Sequence, residues 1–193
     1  MSRYHIVTTW RFDATIEQVG AVLVEVERLT EWWPSVYLAV RELAPGDETG
    51  LGKEVELFTK GWLPYTLRWT FRVSEVEGYR VVLTPMGDFT GRGEWTFQQD
   101  GPTAIVRYDW NVEARKPVLR VLTWLFRPLF TANHDWAMRK GEESLRLELA
   151  RRAATSEEEQ SRIPPAPGPS FLTFGAARRL QRPGRATTVT GVG

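Results

Sequence analysis

From Ser35 to Glu113 the chain is interrupted every few residues by turn-forming clusters, "APGDETG", "KGWLP", "VEGYR", "MGDFTG" and "QDGPT", and between them polarity alternates. In "LPYTLRWTFRV" one set of alternate positions holds Leu63, Tyr65, Leu67, Trp69, Phe71 and Val73, while Arg68 and Arg72 fall in the other. Successive side chains of a strand point to opposite faces, so the pattern predicts a sheet with one buried and one wet side. Val106, Tyr108, Trp110 and Val112, set against Arg107, Asp109, Asn111 and Glu113, repeat it. Short strands joined by tight turns predict an antiparallel meander, and its apolar face demands a cover.

The expected cover is a helical pattern starting at Pro117 and reaching about Arg152. A rotation of about 100° per residue puts Phe130, His134, Ala137, Met138, Gly141 and Leu145 on one stripe, with Asp135, Arg139, Glu142 and Arg146 opposite and Asn133 at the boundary. Gly141 is explained by close approach of the helix to the sheet. Pro128 has no amide hydrogen and is expected to kink or divide the helix, leaving 117–127 as a pivoting, more mobile portion that gates the space beneath. Ahead of the meander, residues 3–12 have strand-like content. "DATIEQV" offers Asp13 or Thr15 as N-cap with Gln18 placed for a capping box. A bend is expected near Val24 to Glu27, and Pro34 ends the second short helix. The fold class is therefore α+β: a curved antiparallel sheet of about seven strands wrapped on a long C-terminal helix, with two short helices after the first strand.

Composition removes several functions. The chain of 193 residues has no cysteine and two histidines, which leaves no thiolate zinc site, no cysteine nucleophile and no histidine-rich metal site. A formal charge of +1 is not the footprint of a dedicated nucleic-acid binder. The start "MSRYHIVTTWRF" lacks an apolar leader core, so a cytoplasmic location is expected. "PVLRVLTWLFRPLF" is interrupted by Arg120, Arg127 and Pro128 and falls short of the roughly 20 apolar residues of a membrane span. Its Trp124, Phe126 and Phe130, flanked by the two arginines, make peripheral lipid contact an open expectation. After Arg152 the composition turns acidic and then Pro-rich. Residues 1–154 are read as one domain and 155–193 as a mostly disordered tail, with "FLTFGAARRLQR" an amphipathic patch inside it.

The element order, together with "LTEWWPSV", "GDFTGRGEWTF", "TAIVRYDWNV" and "NHDWAMRKGEESL", resembles the polyketide cyclase/dehydrase branch of the START-like SRPBCC superfamily over about residues 3 to 152. The resemblance implies a helix-grip fold with an apolar cavity between sheet and terminal helix. Superfamily members use it for lipids, sterols, polyketides, hormones or aromatic compounds, as carriers or as enzymes. The expected function is binding of a small hydrophobic or aromatic ligand without cofactor. The alternatives are a polyketide cyclase/dehydratase working in the same cavity and a protein recognising a lipid or macromolecular partner; oligomeric state is left open.

The expected ligand-contacting set is Tyr65, Trp69, Phe71, Gly91, Gly93, Trp95, Tyr108, Trp110, Phe130, His134 and Met138. Gly91 and Gly93 share a strand face with Trp95 and Phe97, so they leave room beside two aromatics, serve a β-bulge in a bent sheet, or do both, since the bend also deepens the hollow. His134 and Tyr108 are the acid/base candidates. A histidine on an apolar stripe more often completes a structural hydrogen bond, for which Tyr108 and Tyr65 are the expected partners. No carboxylate aligns with His134 to tune it. Asp88 is read as an ordinary turn residue near the cavity mouth, and Trp32, Trp33 and Trp62 as aromatics packed under loops.

Overall fold

The computed structural model describes residues 3–87, 89–114 and 117–170, with side chains for all of these except residues 3, 4, 89, 114 and 117–127. Strand β1 (Arg3–Phe12) is followed by helices α1 (Ile16–Leu23) and α2 (Leu29–Trp32), then by strands β2 (Tyr37–Ala44), β3 (Glu54–Lys60), β4 (Thr66–Glu77), β5 (Arg80–Gly87), β6 (Phe89–Asp100) and β7 (Thr103–Ala114). Helix α3 (Pro117–Ala153) and the short α4 (Glu157–Arg162) complete the described chain. All seven strands form one antiparallel sheet in the order β1-β7-β6-β5-β4-β3-β2. The meander is thus closed at one end by the first strand, whose His5 pairs with Asn111 and Trp10 with Val106.

Local chemistry explains the punctuation. Thr15 caps α1: its hydroxyl accepts from the Gln18 amide at 3.2 Å, and the Gln18 side chain accepts from the Thr15 amide at 2.8 Å. The expected bend is a 3-10 turn at Val26–Arg28. Trp33, held out of helical geometry by the following Pro34, ends α2 with φ −127° and ψ 52°. Strands β5 and β6 pair from Arg80↔Thr96 to Leu83↔Gly93 and not, among the described residues, beyond it. Pro85 has no N–H to donate there. Gly91 sits at φ +139°, where a Cβ would lie 2.2 Å from the Asn111 carbonyl oxygen, so only glycine fits.

Helix α3 runs unbroken through Pro128, so the expected division does not occur. One lost amide donor is absorbed in a helix of 37 residues that lies along a sheet. Its stripe is oriented as the periodicity requires: Met138, Gly141 and Leu145 are buried, while Arg139 and Arg146 are exposed. Gly141, however, meets Trp33 rather than the sheet; a Cβ there would lie 2.2 Å from the indole ring.

The C-terminal half of α3 is fully packed. Leu145, Val19, Val22, Trp10, Phe12 and Trp32 are essentially without solvent exposure. An ion-pair cluster pins this end to the helices after β1: buried Glu148 accepts from Arg152 at 3.0 Å, and Arg152 also reaches Glu25 at 2.6 Å. Chain 155–170, read as the start of a disordered tail, is ordered locally. Ser156 caps α4 by accepting from the Glu159 amide, and the Thr155 amide donates back to the Glu159 carboxylate at 2.8 Å. Arg151 also donates to the Pro164 carbonyl, which ties this segment to α3. The patch at 171–182 lies outside the described residues. No described helix is long and apolar enough to cross a membrane.

Candidate functional site

Strand alternation and the helix stripe bring two apolar surfaces together, and between them lies a partly open cavity of about 160 Å³. Leu67 and Trp69 of β4, Tyr108, Trp110 and Val112 of β7 and Ile6 of β1 form its sheet wall. Phe130, Asn133, His134, Ala137 and Met138 of α3 form its roof, and Trp33, Val36 and Tyr37 close the side next to α2. The remaining wall is Thr59 and Lys60 of β3, then Gly61 and Tyr65 of the connection to β4.

The rings make a continuous chain. Trp69 meets Trp110 at 5.6 Å between centroids, Trp110 stacks on Tyr108 at 5.5 Å, and Tyr108 stacks on Trp95 at 4.0 Å. Trp95 then meets Trp10, Trp10 meets Trp33, and Trp33 meets Tyr37 edge-on at 5.1 Å. Such pairs add specific geometry to area burial and hold each ring in one orientation. A bond from Trp69 Nε1 to Thr59 Oγ1 at 3.2 Å fixes the ring at the β4 end.

Of the eleven residues expected at the ligand, Tyr65, Trp69, Tyr108, Trp110, Phe130, His134 and Met138 line the cavity, while Phe71, Gly91, Gly93 and Trp95 do not. Trp95 stands behind Tyr108 as its stacking support. Gly93 leaves no void: a Cβ there would lie 2.9 Å from the Trp110 ring and 3.0 Å from the Tyr108 hydroxyl, so those side chains already occupy the space. Gly91 serves the bend. Phe71 is 4% exposed and packs in the core beside Trp69. Of the tryptophans read as packing under loops, Trp32 is core, but Trp33 is both core and cavity wall. Asp88 and the side chains of Arg120, Trp124, Phe126 and Arg127 lie outside the described residues.

The polar groups cluster where β3 ends beneath α3. Asn133 Oδ1 accepts from the Leu63 amide at 3.1 Å. Gly61 lies so close beneath that side chain that a Cβ would fall 2.1 Å from the same oxygen. The chain neighbours of this contact, Lys60 and His134, both line the cavity. Lys60 is 3% exposed, and burial pulls its ammonium below the usual lysine value. Sequence reasoning missed Lys60 and Asn133. A lysine beside a turn glycine reads as solvated, and the one available signal was Gly61 in "KGW".

His134 Nε2 is buried with no hydrogen-bond partner among the described residues. Burial pushes the imidazole down to about 4, and Asp135 offsets this only in part. At neutral pH the ring is uncharged and polar. Burial raises the Tyr108 phenol well above its usual value, with Tyr37 nearby adding to the shift, and burial raises Tyr37 as well. Both hydroxyls therefore stay protonated. Among the described residues no group of three His, Cys, Asp or Glu is placed to hold a metal. The site can surround a ring with rings and present a few buried polar atoms to it.

No protein-family model matches this sequence, and no curated protein matches it. Solved structures do share its fold. The Zhui aromatase/cyclase from Streptomyces sp. R1128 superposes with a TM-score of 0.65 at 17% identity, over 80% of this chain and 98% of that one. A protein from Thermus thermophilus gives 0.63 at 16% identity, over 78% of this chain and 100% of that one. A START superfamily protein from Mycobacterium smegmatis gives 0.57 at 14% identity, over 73% of this chain and 98% of that one. The seven-stranded antiparallel sheet gripping a long C-terminal helix is the START-like fold that this aromatase/cyclase also has.

Proposed function

We propose that this chain binds a compact hydrophobic or aromatic ligand between Trp69, Tyr108 and Trp110 on the sheet and Phe130, His134 and Met138 on α3. The observation that carries this reading is a ring-lined cavity whose wall includes a buried polar atom without a partner. Ligand sites combine these features: apolar walls and a few converging polar groups. A volume of about 160 Å³ is close to that of an engineered apolar cavity that takes up benzene. One ring, or two with modest opening, is the scale of occupant it fits. The test is titration with indole and naphthalene, followed by quenching of the cavity tryptophans. Ala137→Trp fills the space and should abolish the quenching; unchanged quenching in that variant would place the binding elsewhere.

A cyclase or dehydratase acting on a poly-β-keto chain is the second reading. The fold shared with an aromatase/cyclase and the presence of His134 and Tyr108 in one cavity support it. The same residues weigh against it: the imidazole is a weak base, the phenol a weak acid, and no described carboxylate orients the ring. Turnover of a polyketide intermediate that is lost in both His134→Ala and Tyr108→Phe would establish the enzyme. Peripheral contact with lipid is tested separately by flotation with anionic vesicles.

A further inference from the structure

The chain turns back on α3 after that helix ends. The Gln160 side chain donates to the Arg151 carbonyl at 3.4 Å, and Arg151 donates to the Pro164 carbonyl, which brings Pro164 back beside Arg151. Ala166, Pro167 and Pro169 are half-buried, so the stretch that follows lies against the domain. Its sequence, "PPAPGPS", favours the extended polyproline form, which is laid out in advance at little entropic cost. Directly after it, at the head of the amphipathic patch and outside the described residues, comes "FLTF". Reach decides what these side chains can touch. A helical rise of about 1.5 Å per residue puts His134, in the cavity roof, about 26 Å back along α3 from Arg151. At about 3.1 Å per residue an extended chain from Pro164 carries Phe171 about 22 Å, short of that mark, and Phe174 about 31 Å, past it.

We propose that Phe174 of the same chain inserts its ring into the cavity among Trp69, Tyr108, Trp110 and Phe130, and competes there with the outside ligand. The inference rests on the ligand-binding reading above and deepens it to the regulation of that site. Size agrees with the occupant: a space of about 160 Å³ takes one benzene-sized ring, and a phenylalanine side chain is that ring on a tether. A short tether holds its end at an effective concentration on the order of millimolar. Even a weakly held ring therefore shields the cavity, and an outside ligand binds in proportion to the fraction of chains whose cavity is free. A ligand of two rings buries more apolar surface than the phenyl group and displaces it.

The experiment uses the full chain and two readouts. Indole and naphthalene are titrated into wild type and Phe174→Ser, with tryptophan quenching as the signal. The variant should bind both at least about threefold more tightly, because its cavity is free in every chain. Phe171→Ser, whose ring falls short, should leave the affinities unchanged. Separately, para-fluorophenylalanine incorporated at position 174 should give a fluorine resonance displaced from its solvent value by the surrounding rings. Saturating naphthalene, or Ala137→Trp filling the space, should return it to that value. Equal affinities in wild type and Phe174→Ser, or a solvent-like fluorine signal in the otherwise unaltered chain, overturn the tail contact and leave the binding reading intact. If neither chain binds either probe, the binding reading falls and the fluorine signal with Ala137→Trp alone decides the tail. A displaced signal that appears only as protein concentration rises, with a dimer in sedimentation, assigns the ring to a second copy and overturns the contact within one chain.

Discussion

The two halves of the space under α3 are built from the same materials and end differently. At the C-terminal half, Leu145 and Ser144 are wholly buried, and α1 and α2 push Val19, Val22 and Trp32 into the gap between helix and sheet. Nearer the N-terminus of α3, among the described residues, the sheet and Phe130, His134 and Met138 stand apart around a cavity, with Trp33, Val36 and Tyr37 only at its side. Trp33, at the end of α2, is the partition: it presses on Gly141 on one side and forms cavity wall on the other. An apolar face on a sheet and an apolar stripe on a helix therefore do not by themselves specify a core or a pocket. The reach of the short helices decides which part becomes which.

The sharpest challenge to that contrast compares two truncations on one helix. Leu145→Ala should cost about 2–5 kcal/mol in urea unfolding, the range for a large-to-small change in a filled core. Phe130→Ala, at the edge of the cavity, should cost about 1 kcal/mol. Equal costs would mean that both halves are packed alike.

Acid titration probes the open half next. An unfolded histidine titrates near 6.5, while His134 in the fold resists protonation until about 4. Between these values the unfolded chain binds the extra proton, so stability is full above pH 6.5 and falls as pH drops towards 4. The loss attributable to His134 is at most roughly 3 kcal/mol. Comparing wild type with His134→Phe at pH 7 and pH 4.5 isolates it: the variant should lose less stability between the two. Identical pH slopes would mean that the ring is not desolvated.

The partition itself is tested by Gly141→Ala. Alanine is the better helix former by about 1 kcal/mol, yet its Cβ would collide with Trp33. A net destabilisation of about 1–3 kcal/mol is expected from overpacking, together with weaker binding of aromatic probes as Trp33 shifts into the cavity. A stabilised variant would show that the indole yields freely. The smallest effect belongs to Asn133→Ala, which removes the acceptor for the Leu63 amide. About 1 kcal/mol is expected, with faster hydrogen exchange at Leu63 and no change at Leu145.

Much of the scaffold is readable from local chemistry. The Thr15 and Gln18 pair announces α1, the alternation through Leu67, Trp69, Phe71 and Val73 announces β4, and the Phe130 to Leu145 stripe announces the buried face of α3. The cavity is readable only in outline, because periodicity assigns a residue to a face and says nothing of what stands opposite. Gly93 looked like a gap because a missing side chain suggests space, whereas its cross-strand partner Trp110 had taken that space. Lys60 and Asn133 gave no periodic signal, since their burial arises where the end of β3 meets α3, far apart in sequence.

The pairing of β1 with β7 also sets an order of assembly. Trp10 cannot find Val106 until almost the whole meander has been made, and such long-range closure is the slow step in forming a β-rich domain. Helix α3 comes later still on the ribosome. Until it docks, the tryptophans of the inner face have no roof, and the nascent chain presents an apolar, ring-studded sheet to its surroundings. The future cavity wall is therefore also the part of the newborn protein most in need of a chaperone, and any molecule that fitted beneath α3 would help to seat that helix.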